Sequence, residues 1–140
     1  MATPAKSLPS KPFLTTLRLD LSQVESGVPL ATMSTFAESS GLPLTDLYNV
    51  VIPARTLKHR RARREPLSRD ESDKLARLVR IFDHAVRVFD GMERARIWLD
   101  EPKQRFGGRT PIELLRTEFG ARMVDEFLGQ IEYGMFAWEE

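Results

Sequence analysis

The stretch LTDLYNVVIPARTLKHRRARR, residues 44–64, predicts two short helices joined by a tight turn. Three apolar residues recur there at helical spacing and are expected to face a core, namely Leu44, Leu47 and Val51. Pro53 disfavours helical geometry at Ile52 and therefore ends the first helix. A second helix is expected to begin at Ala54. Two helices joined in this way are typical of a helix-turn-helix, whose second helix enters the major groove of DNA.

The second of these helices is densely cationic. Between Arg55 and Arg64 the sequence has six Lys or Arg, one His and no acidic residue, and Leu57 is expected to anchor it to the first helix. The candidate contacts to base edges are Arg55, Thr56, Lys58 and His59, and the candidate contacts to phosphates are Arg60, Arg61, Arg63 and Arg64. RNA, another polyanion and a merely solvated basic face stay open as alternatives, and the turn before the helix favours DNA.

The composition is typical of a globular protein. Of 140 residues, 41% are hydrophobic and 29% are charged, and no apolar run approaches the roughly 20 residues that cross a bilayer. The absence of cysteine excludes a disulfide framework and a thiolate metal site. Residues 1–12 lack the apolar core of a signal peptide, and residues 1–30 are expected to form an arm and lead-in. We therefore expect no membrane partner and a location in the bacterial cytoplasm.

Helix-start signals predict an all-α fold. Residues 35–38, 68–71 and 110–113 each match a capping box, in which a hydroxyl and a Glu or Gln satisfy free backbone donors. After Ser68, apolar residues recur every three or four positions as far as Phe89, which predicts one long helix buried on most sides. The expected division is an N-terminal helix-turn-helix bundle and a small C-terminal helical domain, with domain bounds at residues 31–90 and 91–140.

The basic helix and the start of the long helix resemble the N-terminal part of the Xre/MbcA/ParS antitoxin family. In that pattern an Arg-Thr-Leu helix with paired basic residues precedes a Leu-Ser…Glu-Ser-Asp helix start, as in residues 52–60 and 67–75. His59 departs from the pattern, because the family usually has a second Arg at that position. The C-terminal half is similar to the toxin-binding domain of the same family. The matching segments are ARIWL at 95–99, FGGRTP at 106–111, GA at 120–121 and GMF at 134–136.

This resemblance, which covers roughly residues 45–137, implies an antitoxin of a type II toxin–antitoxin system. Such antitoxins are encoded beside toxins that often have the RES fold and deplete NAD. They bind the toxin through the C-terminal domain, block its active site, and repress their own operon. The implied partners are the cognate toxin, operator DNA and a second copy of the chain, and no cofactor is implied.

The toxin-binding candidates lie in the C-terminal part of the chain. They are Arg109, Arg122, Tyr133, Met135, Phe136, Trp138, Glu139 and Glu140. Two large aromatics within five residues of the last residue are unusual in a segment that is normally polar. Their presence indicates docking, either on the protein's own core or in a pocket of the partner. A carboxylate pair at the end of this tail would suit a cationic cleft.

An enzymatic function is not expected, and no catalytic residue or metal site is predicted. Adjacent residues on a helix do not face each other, so Asp83 and His84 are expected to be surface residues rather than an acid–base pair. The alternative to an antitoxin is a stand-alone helix-turn-helix transcription regulator whose C-terminal half only dimerises. A dimer is expected in either case, because symmetric operators match two-fold protein symmetry.

Overall fold

The computed structural model describes residues 19–134, and this part of the chain is all-helical, as predicted. The α-helices are α1 (Leu21–Ser26), α2 (Leu30–Ser40), α3 (Leu44–Val50), α4 (Ala54–Arg63), α5 (Arg69–Phe89), α6 (Met92–Leu99), α7 (Pro111–Leu114) and α8 (Glu118–Glu132). A single 3₁₀ turn, Gln104–Phe106, precedes α7. Between residues 19 and 134, every helix is too short or too polar to span a bilayer.

Helix α5 is the centre of the fold. Its capping box is confirmed, since Ser68 Oγ accepts from the Glu71 N–H at 3.1 Å and Glu71 Oε1 accepts from the Ser68 N–H at 2.8 Å. Its apolar residues are buried on several sides, as the sequence predicted, and α5 packs against α1, α3, α6 and α8. The fully buried members are Leu75, Leu78, Val79, Ile81, Phe82 and Ala85. One hydrophobic cluster therefore runs through both halves of the described chain.

The N-terminal helices differ from the prediction. The capping box expected at Thr35 is wrong, because α2 already begins at Leu30 after Pro29 and Thr35 lies in its middle. A capping box instead begins α1, where Asp20 and Gln23 satisfy each other's backbone N–H groups. The turn between α1 and α2 is tied to the start of α5, since the Val28 N–H donates to Ser72 Oγ at 2.8 Å.

The C-terminal helices surround an aromatic cluster. Trp98 contacts both Phe89 and Phe127, with ring centroids 5.3 and 5.6 Å apart, and Phe106 meets Phe127 edge-on. Lys103 and Arg105 lie over rings of this cluster. The predicted start of α7 is confirmed, because Thr110 Oγ1 accepts from the Glu113 N–H at 3.3 Å and Pro111 occupies the first position of the helix, but the Glu113 side chain does not complete the capping box expected there.

Polar side chains of α5 hold α8 in place. Arg77, which is 9% exposed, contacts Glu118 at 3.2 Å and donates to the carbonyls of Leu115 and Arg116 at 3.3 Å. His84 lies between two carboxylates of α8, with Nδ1 at 2.6 Å from Asp125 and Nε2 at 3.1 Å from Glu132. The expectation that Asp83 and His84 are surface residues is therefore wrong. Asp83 is buried and pairs with Arg87, one helical turn away.

A pair of carboxyl groups joins α3 to the end of α6. Burial, a hydrogen bond to Asp100 and repulsion from its charge raise the pKa of Asp46 to about 7. Asp46 Oδ2 is shielded from water, and no donor group between residues 19 and 134 reaches it. Two carboxyls can hydrogen-bond only when one of them holds a proton, so the pair is strained once both are ionised.

Gly120 gives the sharpest packing prediction. A Cβ at this position would lie 2.0 Å from the Leu114 carbonyl oxygen, so Gly120→Ala must displace α8 from α7. We expect a loss of about 1–3 kcal/mol in the free energy of unfolding, as for other overpacked sites. Gly129→Ala is the matched control, because no atom lies within 4 Å of its Cβ and alanine favours the helix. Denaturant unfolding measures the stability of both variants. A Gly120→Ala variant as stable as the wild type would contradict the close contact.

Asp46 gives a prediction for pH dependence. Its pKa is higher in the folded protein than in the unfolded chain, so the folded state binds more protons between about pH 4 and 7. This group therefore lowers the free energy of unfolding as the pH rises through that range. Asp46→Asn is expected to raise the melting temperature at pH 8, with a gain that shrinks toward pH 5. Asp70→Asn, at an exposed Asp paired with Lys74, is the control and should show no gain. A wild-type-like melting temperature of Asp46→Asn at pH 8 would refute the carboxyl pair.

Candidate functional site

The predicted helix-turn-helix is present as α3, a turn at residues 51–53 and α4. Val51 and Ile52 are buried, and their N–H groups donate to the Leu47 carbonyl at 2.8 and 3.1 Å. Pro53 occupies the N-cap position of α4. Leu57 is the one buried side chain of that helix, as expected for the residue that anchors α4 to the core. The inward orientation predicted for Leu44 is wrong, since its side chain is 55% exposed. The helix begins after Pro43, and Leu42, before the proline, fills the core instead.

Most of the predicted DNA contacts are exposed around α4, and this cationic surface is here called the basic face. Its exposed members are Arg55, Lys58, His59, Arg61, Arg63 and Arg64, while Thr56 and Arg60 are half-buried. Arg64 has a left-handed backbone conformation with φ of 58° and ends the helix. Because the core takes only Leu57 from α4, nearly the whole of this cationic helix is available to a partner.

Arg60 has a structural contact that the sequence did not predict. Its guanidinium donates two hydrogen bonds to the Glu71 carboxylate, each 3.0 Å long, and contacts Glu65 at 3.3 Å. Although burial opposes ionisation, the hydrogen bonds from Arg60 and Ser68 lower the pKa of Glu71 below its ordinary value. Glu71 also caps α5, so Arg60 fixes α4 to the central helix. Arg60 and Glu71 are eleven residues apart and lie in different helices, so no helical spacing rule predicts that they pair.

A second surface lies on α7 and α8. The groove between them is called the α7–α8 groove, and the residues that line it are Arg109, Glu113, Leu114, Arg116, Thr117, Phe119, Gly120 and Met123. Phe119 is 69% exposed. No sequence signal indicated a role for Phe119. As for the aromatic residues of the tail, the question is whether its ring packs on this protein or docks on a partner.

The structure brings together only part of the predicted toxin-binding set. Arg109 lines the α7–α8 groove, Arg122 is exposed on α8, and Tyr133 is 81% exposed at the end of that helix. Fourteen residues separate Phe119 from Tyr133, or about 21 Å along a helix. The remaining candidates, Met135, Phe136, Trp138, Glu139 and Glu140, lie outside the described residues.

The two surfaces are joined through α3. Arg116, which lines the groove, donates from Nε to the Asn49 carbonyl at 3.2 Å, near the end of the first helix of the helix-turn-helix. The Arg116 carbonyl in turn accepts from Arg77 of α5. One residue of the groove thus contacts both the central helix and the element that positions the basic face.

Two family models match the chain. Residues 20–80 match the antitoxin Xre-like helix-turn-helix domain. Residues 84–134 match the antitoxin Xre/MbcA/ParS C-terminal toxin-binding domain. The first match contains α3, α4 and the whole basic face, and the second contains the α7–α8 groove.

Curated relatives agree with these matches. The chain is 46% identical over 84 residues to the antitoxin Xre of Pseudomonas putida, covering 60% of this chain and 53% of the relative. Across 142 aligned positions it is 30% identical to the antitoxin Xre of Photorhabdus laumondii, covering 95% of this chain and 96% of the relative. It is 28% identical to the Prs ADP-ribosylating antitoxin of a Sphingobium strain, covering 81% of this chain and 78% of the relative. The chain therefore belongs to the Xre/MbcA/ParS antitoxin family.

Proposed function

We propose that this antitoxin neutralises a cognate RES-type, NAD-depleting toxin and represses its own promoter. The α4 basic face binds the operator, and the C-terminal half binds the toxin and blocks its active site. The protein acts by binding rather than by catalysis. Because its operator is chromosomal or plasmid DNA, we place it in the bacterial cytoplasm.

The toxin assignment rests on the match of residues 84–134 to a toxin-binding domain. The name of the Sphingobium relative supports the chemistry proposed for the partner, since it associates that antitoxin with ADP-ribosylation of Prs. ADP-ribosylation takes its group from NAD, so a toxin of this chemistry consumes NAD as a RES-type toxin does. The GGRTP segment, which resembles the family pattern, also supports a toxin as the partner.

The DNA assignment rests on one observation, the exposed cationic face of α4 directly after the turn of a helix-turn-helix. Arg61 and Arg63 extend from this helix without an ion pair in the described part of the chain, and such side chains neutralise phosphates. Arg55 and Lys58 lie at the N-terminal end, where recognition helices approach base edges. A homodimer would present two such helices to a symmetric operator.

Loss of two phosphate contacts should be measurable as a salt effect. Arg61→Ala with Arg63→Ala is expected to weaken binding to the protein's own promoter and to reduce the slope of log affinity against log salt by about two units for each subunit bound. The control, Arg94→Ala with Arg122→Ala, removes two exposed positive charges outside α4 and should leave the slope unchanged. Fluorescence anisotropy at several salt concentrations measures both. Equal slopes for the two double variants would show that α4 is not the DNA-binding helix.

Arg60→Ala is unsuitable as a test of DNA contact by itself. Removal of its guanidinium leaves Glu71 without its ionic partner and loosens α4 from α5.

The C-terminal tail is expected to matter for neutralisation and not for folding. Phe136 and Trp138 would anchor the tail in the toxin's active-site cleft, where Glu139 and Glu140 would meet cationic groups. Removal of an aromatic anchor typically costs about 2–4 kcal/mol, or roughly thirtyfold to a thousandfold in affinity. Deletion of residues 136–140 should therefore abolish toxin inhibition, with promoter binding and the melting temperature nearly unchanged. Inhibition at wild-type potency would exclude the plug, and a lower melting temperature would place the tail on the protein's own core.

A further inference from the structure

We infer that the α7–α8 groove is a docking surface for the toxin, and that it takes an apolar side chain flanked by a carboxylate. This inference rests on the proposed function and adds to it, because it places the main contact on described residues rather than on the tail alone. Four features of the groove carry it: its shape, its charge, its exposed aromatic and its place within the family match.

The groove has room for a partner side chain. Its volume is about 360 Å³, within the range of small binding clefts. Its lining combines the apolar side chains of Phe119, Met123 and Leu114 with the guanidinium groups of Arg109 and Arg116. Gly120 lies against the Leu114 carbonyl, so closely that a Cβ there would be 2.0 Å from the carbonyl oxygen. An apolar side chain in the groove would therefore meet two closely packed helices and two guanidinium groups.

The arginines of the groove differ from those on the central helix. Arg77, Arg80 and Arg87 each lie within 3.5 Å of a carboxylate. Arg109 forms no side-chain ion pair in the part of the chain that the structure describes, and Arg116 donates only to the Asn49 carbonyl. Glu113 is the single acidic side chain in the lining. The groove is thus positively charged overall and complementary to a carboxylate.

The aromatic residues of the C-terminal half fall into two groups. Trp98, Phe106 and Phe127 are buried in the core, whereas Phe119 and Tyr133 are 69% and 81% exposed. At 100° per residue, fourteen positions turn the helix to within about 40° of its starting direction, so both exposed rings lie on one side of α8. Exposed aromatics next to a cationic groove are typical anchors of protein interfaces, where they contribute a large share of the binding energy.

The occupant that best fits these features is the toxin. The segment that matches a toxin-binding domain, residues 84–134, contains the complete groove. The other occupant to consider is the acidic and aromatic tail of the same chain, which the experiment separates from the toxin.

The test is a titration of the full-length antitoxin with the purified toxin encoded beside it. Phe119→Ala is expected to weaken toxin binding on the order of thirtyfold and Arg109→Glu on the order of tenfold. Leu21→Ala and Arg69→Glu are the matched controls, because they change an exposed apolar residue and an exposed arginine outside the toxin-binding match at residues 84–134. The controls should bind as the wild type does, and thermal melts of all four variants should stay near the wild-type value.

Wild-type affinity of both groove variants would overturn the docking surface while leaving the proposed function intact. So would losses of affinity that are as large in the control variants as in the groove variants. If the tail fills the groove instead, Phe119→Ala and deletion of residues 136–140 each lower the melting temperature, and Phe119→Ala leaves toxin affinity unchanged. This result also overturns the proposal. A wild-type antitoxin that does not bind the toxin at all contradicts the proposed function itself.

Discussion

The burial of α5 on several sides is the constraint on which the rest of the structure depends. A helix of 21 residues that is apolar around most of its circumference is stable only when other helices cover it. Helices α1 and α3 cover one part and α6 and α8 another, so the residues that match two different family domains share one hydrophobic cluster. Arg60 attaches the basic helix to the start of α5, and Arg77 attaches the α7–α8 turn to its middle. Both binding surfaces are therefore held by the same element.

Where local chemistry determines an element, the sequence was sufficient to predict it. Pro53 after a short apolar repeat determined the turn, and Ser68 with Glu71 determined the start of α5, because each acts on its own backbone neighbours. The apolar repeat up to Phe89 predicted the length of that helix for the same reason. The division into domains at residue 90 stays a prediction, and the structure adds that α5 packs against both halves. The resemblance of the GGRTP and GA segments led to the family that the comparisons confirm.

Contacts between residues distant in sequence could not be predicted. Nothing in the spacing of Arg60 and Glu71, Asp46 and Asp100, or Arg116 and Asn49 indicates that folding brings them together. Leu44 has the spacing of a core residue, but its position at the first turn of α3 faces it outward. Gly120 was predicted as part of a motif, and only the structure shows that the Leu114 carbonyl excludes a side chain there. The α7–α8 groove depends on this close approach of two helices, which the sequence does not reveal. For this reason only Arg109 of the groove lining was among the predicted toxin-binding residues.

The proposed protection of cells from a toxin that consumes NAD is tested most directly by the cellular NAD pool. Cells that express the toxin encoded beside this gene are compared with cells that also express the full-length antitoxin at equal or higher level. We expect the NAD content to fall in the first culture and to stay at the level of untreated cells in the second. An NAD content that falls equally in both cultures, with the antitoxin folded and present, would contradict it.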